Sequence, residues 1–205
     1  MILVIDYGMG NVGSIMNMLK KIGAKSAITT NPDELYTAEK IILPGVGSFD
    51  KGMQYLEQKG FHEAILKNVV ELKKPLLGIC LGMQMLGRKS EEGVRPGLGL
   101  IPFDTVRFRF DQKTSLKVPH MGWNYVNINN HNSQLVNNIC EKQRFYFVHT
   151  YHALCDNKED ILMESHYGYV FTAAVQHLNI YGTQFHPEKS HRYGMQLLSN
   201  FAKEC

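Results

Sequence analysis

Cys80 sits in the pentapeptide Gly78-Ile79-Cys80-Leu81-Gly82, with a glycine two residues away on either side, directly after one apolar run and before another. A strand that ends on a nucleophile and turns at once into a helix needs this spacing, because the strained turn lets the backbone pass closely only where flanking residues are small. The thiol then points out of the sheet edge, at a helix start whose free backbone N–H groups favour a thiolate and an anionic intermediate. By itself the pentapeptide is equally compatible with a buried core cysteine in a glycine-rich turn.

A second group, Gln184-Phe185-His186-Pro187-Glu188, follows a late apolar run. A free thiol with an ordinary pKa of about 8.5 is only a few per cent thiolate at neutral pH, so a neighbouring imidazole base is needed, and His186 can be that base. Glu188 stands two positions on and Pro187 stiffens the link, so the carboxylate can fix the imidazole tautomer and stabilise its cation. A His-Pro-Glu tripeptide carries little alone, since His186 is one of nine histidines; paired with the cysteine elbow it becomes specific for nucleophilic acyl chemistry. A third piece is Leu43-Pro44-Gly45-Val46-Gly47-Ser48-Phe49. Glycines on both sides of Val46 let a peptide plane turn its N–H toward a reaction centre, as an oxyanion hole requires, and Gly45 is the expected hinge. The plain alternative is a strand-to-helix loop. No G-x-x-x-x-G-K-[ST] is present, and Gly8-Met9-Gly10 lacks the third glycine of a dinucleotide fingerprint, so nucleotide binding is not indicated.

These residues need a scaffold, and the apolar pattern supplies one. Ile2 to Ile5, Ile41 to Leu43 and Leu76 to Ile79 are short continuous apolar runs that read as buried strands; Ile15, Met18, Leu19 and Ile22, and later Ile65, Val69, Val70 and Leu72, recur at helical spacing. Asn31-Pro32-Asp33-Glu34 marks another helix start. Strands alternating with helices predict an α/β fold, a mostly parallel sheet with helices on both faces. From about Arg88 the texture changes: residues 91–97 are loop, and Thr105 to Val126 suggests hairpins or a smaller antiparallel flap. Tyr146 to Val148, Val170 to Val175 and Ile180 to Phe185 are expected strands, with Ser190 capping a last helix through Leu197, Leu198 and Phe201. No repeat or linker interrupts the 205 residues, which are expected to form one domain, 1–205.

Composition narrows the function. Hydrophobic residues at 44% and charged residues at 20% are those of a globular protein, and a net charge of +3 without a basic run argues against nucleic acid as a partner. No stretch approaches the roughly 20 apolar residues of a membrane span, and Met1 to Asp6 lacks the basic region of a secretory signal. Cys80, Cys140, Cys155 and Cys205 contain no C-x-x-C pair, so neither a zinc site nor a disulfide framework is expected, and a reducing cytoplasm fits. His120 and His149 lack metal-ligand spacing with the other histidines and read as structural or interface residues. The lone Trp123, among turn residues and short hydrophobics, reads as an interface anchor in preference to a core plug.

G-I-C-L-G-M-Q, Q-F-H-P-E-K-S and L-P-G-V-G-S-F, the last preceding the other two in the chain, together resemble the class I, triad-type glutamine amidotransferases, whose flavodoxin-like α/β fold matches the expectation above. Within that superfamily, residues 5–11 (IDYGMGN), 118–124 (VPHMGWN) and 146–149 (YFVH) look like the glutaminase subunits of imidazole glycerol phosphate synthases of histidine biosynthesis, over residues 2 to about 201. The resemblance implies Cys80 as nucleophile, His186 as base and then acid, and Glu188 as its orienting partner. It implies glutamine contacts at Gly47, Gln84, Thr150 and Tyr151, oxyanion contacts at Val46, Gly47 and Leu81, and no cofactor or metal. It also implies a heterodimer with a (βα)8-barrel cyclase, faced by Met121, Trp123 and Lys189, that receives ammonia through an internal tunnel. The chain departs from the family pattern at Phe103, Thr150 and His152, away from the triad.

Other functions remain to be separated from this one. A paralogous glutaminase supplying a surface-sugar amidotransferase would use the same chemistry with another partner. A cysteine hydrolase of peptides or esters would need neither a Gln84-type amide pocket nor a synthase-facing flap, and a silent scaffold protein would have lost a member of the triad, yet all three are present.

Overall fold

The computed structural model describes residues 1–111, 114–139 and 142–205; Cys140 and the middle of the expected 105–126 flap, residues 112–113, lie outside them. Five strands form the parallel half of the sheet. β1 (Ile2–Ile5) leads through α1 (Val12–Lys21) to β2 (Ser26–Thr29), and β3 (Lys40–Gly45) leads through α2 (Phe49–Gln58) and α3 (Phe61–Leu66) to β4 (Leu76–Cys80). The short α4 (Leu81–Met85) follows, then β5 (Lys89–Ser90), β6 (Phe103–Arg107), β7 (His120–Ile128), β8 (Arg144–His149), β9 (Tyr151–Cys155), β10 (Ile161–Tyr167), β11 (Tyr169–His177), β12 (Ile180–Thr183) and α5 (His191–Lys203). The main order is β2-β1-β3-β4-β12-β11-β10-β7-β8, parallel from β2 to β12 and antiparallel beyond, with β5, β6 and β9 joined to the side.

The continuous apolar runs are buried on both faces, as parallel strands between helices must be. Val4, Ile42, Leu77 and Ile79 point into a core closed by Val12, Ile15 and Leu19 of α1 and Leu197, Leu198 and Phe201 of α5. Their neighbours Leu3, Ile5, Ile41, Leu43 and Leu76 point the other way, onto Phe49, Met53 and Leu56 of α2 and Phe61 and Ile65 of α3. The alternation of strand side chains thus divides one sheet between two cores. Among the described residues no helix is long and apolar enough to cross a membrane.

Three expectations change. The segment begun by Asn31 is a 3-10 helix, Pro32–Thr37, although Asn31 does cap it by accepting the Asp33 N–H at 3.1 Å. The 105–126 stretch is not a hairpin: β6 pairs with β5 and β9, whereas β7 pairs with β10 and β8, so its strands find remote partners instead of each other. The helix expected around Ile65 to Leu72 is α3 with a π-helical extension, Lys67–Glu71.

Candidate active site

Cys80 ends β4 with φ of 56°, a left-handed conformation that a non-glycine residue adopts only where its surroundings impose it. Both flanking glycines are sterically required. A Cβ on Gly78 would stand 2.7 Å from the Gly82 carbonyl oxygen, and one on Gly82 would collide with the carbonyl of Leu43 on β3. The sulfur stands at the carboxyl end of the parallel strands, where an open α/β sheet holds its ligands. Because α4 is only five residues long, its summed dipole is small, and any stabilisation of a thiolate comes from local N–H groups.

The strand β12, parallel to β4, carries His186 to the same end of the sheet. His186 is buried, and its Nδ1 donates to Glu188 Oε1 at 2.7 Å. Its Nε2 has no partner among the described residues and is the ring nitrogen left for Cys80. Burial works to lower the imidazole pKa, but Cys80 and Glu188 outweigh it and hold His186 at about 9. Cys80, His186 and Glu188 thus have the arrangement that a nucleophile, a base and an orienting carboxylate would need for acyl transfer. Ser190 takes the N-cap position of α5 as expected, but its hydroxyl makes no capping bond: it donates to the His186 carbonyl at 2.6 Å and accepts the Tyr146 N–H at 3.0 Å. The serine ties the histidine's own backbone to β8, a role that nothing in its local sequence signals.

The glycine loop meets the same point. Gly45 is the register partner of Cys80 across β3 and β4, and Val46 and Gly47, the latter with φ of +108°, form an exposed turn just beyond. Leu81 follows Cys80 and is buried. Gln84, on α4, is buried with both amide hydrogens engaged, one on the Tyr151 carbonyl at 3.2 Å and one on Gln184 Oε1 at 3.0 Å. Thr150 lies in the bend between β8 and β9, its carbonyl accepting from Phe108 N–H at 3.1 Å. Two residues at the centre have no role assigned in the sequence analysis although each lies in one of its motifs: Gln184, whose Nε2 points at Cys80 Sγ from 3.8 Å, and Tyr7, whose buried hydroxyl has no partner among the described residues and whose pKa is raised by burial and by Cys80.

Met121 and Trp123 project from the exposed side of β7, 62% and 42% accessible, and Lys189 is exposed as well. Trp123 stacks on His191 with the planes 2° apart, and Lys189 Nζ lies 5.8 Å from the centre of the Tyr146 ring. Trp123 therefore lies at the surface and is not a core plug.

The chain is similar to known proteins over its whole length. The family described as "Glutamine amidotransferase class-I" matches residues 3–205. The imidazole glycerol phosphate synthase subunit HisH 2 of Methanococcus maripaludis is 54% identical, covering 100% of both chains, and the HisH 2 of Pseudomonas aeruginosa is 50% identical over 99% of each. The HisH subunit of Sulfurimonas denitrificans is 47% identical over 99% of this chain and 98% of its own. Among solved structures, PurLQS of Thermotoga maritima superposes with a TM-score of 0.75 at 19% identity, covering 98% of this chain and 96% of that one. The glutaminase domain of CTPS from Trypanosoma brucei gives 0.68 at 15% identity, covering 100% and 94%; both likenesses concern the fold alone. With a cysteine elbow, a buried His-Glu pair and this full-length similarity, the chain belongs to the class-I glutamine amidotransferase family.

Proposed function

We infer that this chain is the glutaminase subunit of an imidazole glycerol phosphate synthase, releasing ammonia from glutamine for a (βα)8-barrel cyclase in histidine biosynthesis, in the cytoplasm, with residues 1–205 acting as one domain. The observation that carries the chemistry is the buried His186, bound through Nδ1 to Glu188 at 2.7 Å with Nε2 left for Cys80. Full-length similarity to HisH subunits supports the choice of pathway.

In this mechanism the Cys80 thiol proton passes to His186 Nε2 and the sulfur attacks the γ-carbonyl carbon of glutamine. Backbone N–H groups of the Val46-Gly47 turn and Leu81 take up the charge that develops on the carbonyl oxygen. As the tetrahedral intermediate collapses, the C–N bond breaks and His186 returns the proton to the nitrogen, which leaves as ammonia. Water, deprotonated by His186, then attacks the γ-glutamyl thioester, and the C–S bond breaks to free glutamate and the thiol. Glu188 keeps the Nδ1–H tautomer throughout and stabilises the imidazolium. Gly47, Gln84, Thr150 and Tyr151 hold the substrate, Gln84 through its remaining carbonyl oxygen, while Met121, Trp123 and Lys189 dock the cyclase. Reconstitution with the histidine-pathway cyclase and its nucleotide substrate tests this function: glutamine-dependent formation of imidazole glycerol phosphate is expected. Glutamine hydrolysis that responds only to a different barrel, such as one serving a sugar pathway, would overturn the pathway while leaving the chemistry.

A further inference from the structure

A single line of hydrogen bonds runs from β7 to the nucleophile, and its polarity is forced from one atom. The Tyr151 carbonyl oxygen can only accept, so His149 Nδ1, 2.8 Å away, must carry the proton. Burial pushes His149 well below the usual imidazole range and His120 down to about 4, so both rings are neutral and each has one N–H. His149 Nε2 is then an acceptor, which makes His120 Nδ1 the donor across 2.9 Å and leaves His120 Nε2 to accept from Asn124 Nδ2 at 3.3 Å. The same carbonyl fixes the other arm. The Gln84 atom that meets it must be the amide nitrogen, so the Gln184 atom bonded to that nitrogen must be oxygen, and the Gln184 NH2 is turned to the Cys80 sulfur. His120, His149, Gln84 and Gln184 are all buried, and Tyr167 stacks on His120 with ring centres 4.2 Å apart.

We propose that His120 and His149 are positioning residues for the glutaminase reaction, which lock the Tyr151 carbonyl and thereby hold the Gln84 and Gln184 amides with an N–H donor aimed at the Cys80 sulfur. The inference rests on the role given above to Cys80. Without His120, the His149 Nε2 loses its donor and the opposite tautomer becomes accessible; a bare Nδ1 then faces the Tyr151 oxygen, and lone-pair repulsion displaces the ring or the peptide. Gln84 loses its anchor, and Gln184 is free to turn its oxygen toward the sulfur, which disfavours the thiolate. The relay begins on the strand that carries Met121 and Trp123, so docking against that strand and the state of the sulfur share one set of bonds.

The test needs neither glutamine nor a partner. Iodoacetamide, whose carboxamide is the size of the substrate's, is reacted with the full chain at neutral pH, and alkylation of Cys80 is followed by peptide mass spectrometry with Cys205 as internal reference. His120→Leu, His149→Leu and Gln184→Met are each expected to slow Cys80 roughly fivefold, the effect of losing one ordinary donor to a thiolate. His120→Asn retains an N–H where Nδ1 stood and is expected to stay within about twofold of the native chain. Melting curves establish that each variant is folded. An unchanged rate in folded Gln184→Met would show that the line does not reach the sulfur. A loss in His120→Asn as large as in His120→Leu would show that packing, and not the relay, matters. If alkylation behaves as expected but the chain never hydrolyses glutamine with any barrel protein, the proposed function fails and the relay stands.

Discussion

Gly45 and Cys80 are register partners at the ends of β3 and β4, and a Cβ built on Gly45 would stand 2.8 Å from the Gly82 nitrogen, 2.8 Å from the Tyr7 hydroxyl and 2.9 Å from Leu81 Cβ. The Cys80 turn packs directly on this glycine, a steric reason for it that is separate from the hinge its sequence suggests. Gly45→Ala is therefore expected to lower the melting temperature by several degrees, an overpacking cost of about 1–3 kcal/mol, and to impair Cys80 whether or not a partner is bound. Differential scanning calorimetry checks this; a melting temperature equal to that of the native chain would remove the steric reason.

Cys80→Ala is expected to abolish synthase turnover with glutamine and to leave turnover with added ammonium salt largely intact, because the sulfur is needed only to release ammonia. Both activities are measured on the complex with the cyclase. Loss of ammonia-driven turnover in an intact complex would give Cys80 a different role.

The pairing of Cys80 with His186 was legible because each lies in a short motif whose geometry is local: a glycine-flanked turn, and a His-Pro-Glu run whose two ionisable groups are two residues apart. The relay was not. His120 and His149 are 29 positions apart and Gln84 and Gln184 are 100 apart, so only the sheet brings them together. The parallel strands were visible as unbroken apolar runs. β2 was hidden because four residues that are mostly not fully buried carry little pattern, and α2 because Gly52 interrupts its apolar face; Gly52 is there because a Cβ would press on Met85 Sδ at 2.8 Å. β6 and β7 look like strands of one flap because they are close in sequence, whereas β6 runs against β9 and β7 against β8 and β10.

Stability should follow the protonation of His186. Its folded pKa of about 9 lies above the unfolded value near 6.5, so its contribution is fully present below about pH 6.5 and is lost as pH rises through about 9. Glu188→Gln removes one of the groups that raise the pKa, which should narrow that window from its alkaline end. Urea midpoints between pH 6 and 10 measure this, and a window unchanged in Glu188→Gln would mean that Glu188 does not stabilise the cation. The same variant is expected to slow glutamine hydrolysis less than His186→Ala, since it weakens orientation but keeps the base.

The isolated chain is expected to hydrolyse glutamine poorly, with cyclase and its nucleotide substrate together raising the rate by about two to three orders of magnitude, the worth of one oxyanion donor. Free hydrolysis would waste glutamine and release ammonia to solvent, so coupling needs a two-state element next to the sulfur. The Val46-Gly47 turn is the expected element: both residues are exposed, Gly47 has φ of +108°, and a peptide plane there could turn its N–H toward or away from the oxyanion. Docking on the Met121 and Trp123 face then shifts the population of the turn. Gly47→Ala strains the left-handed backbone and brings a Cβ within 2.7 Å of Met9 Cε, the movable end of a flexible side chain, so the fold should survive while the turn is confined. Steady-state glutaminase assays of the native chain and Gly47→Ala, each alone and with the cyclase, should show that the variant has lost most of its stimulation while it remains folded, with a melting temperature lowered by only a few degrees. Full activity of the native chain without any partner would remove the need for a switch and leave the triad chemistry as it stands.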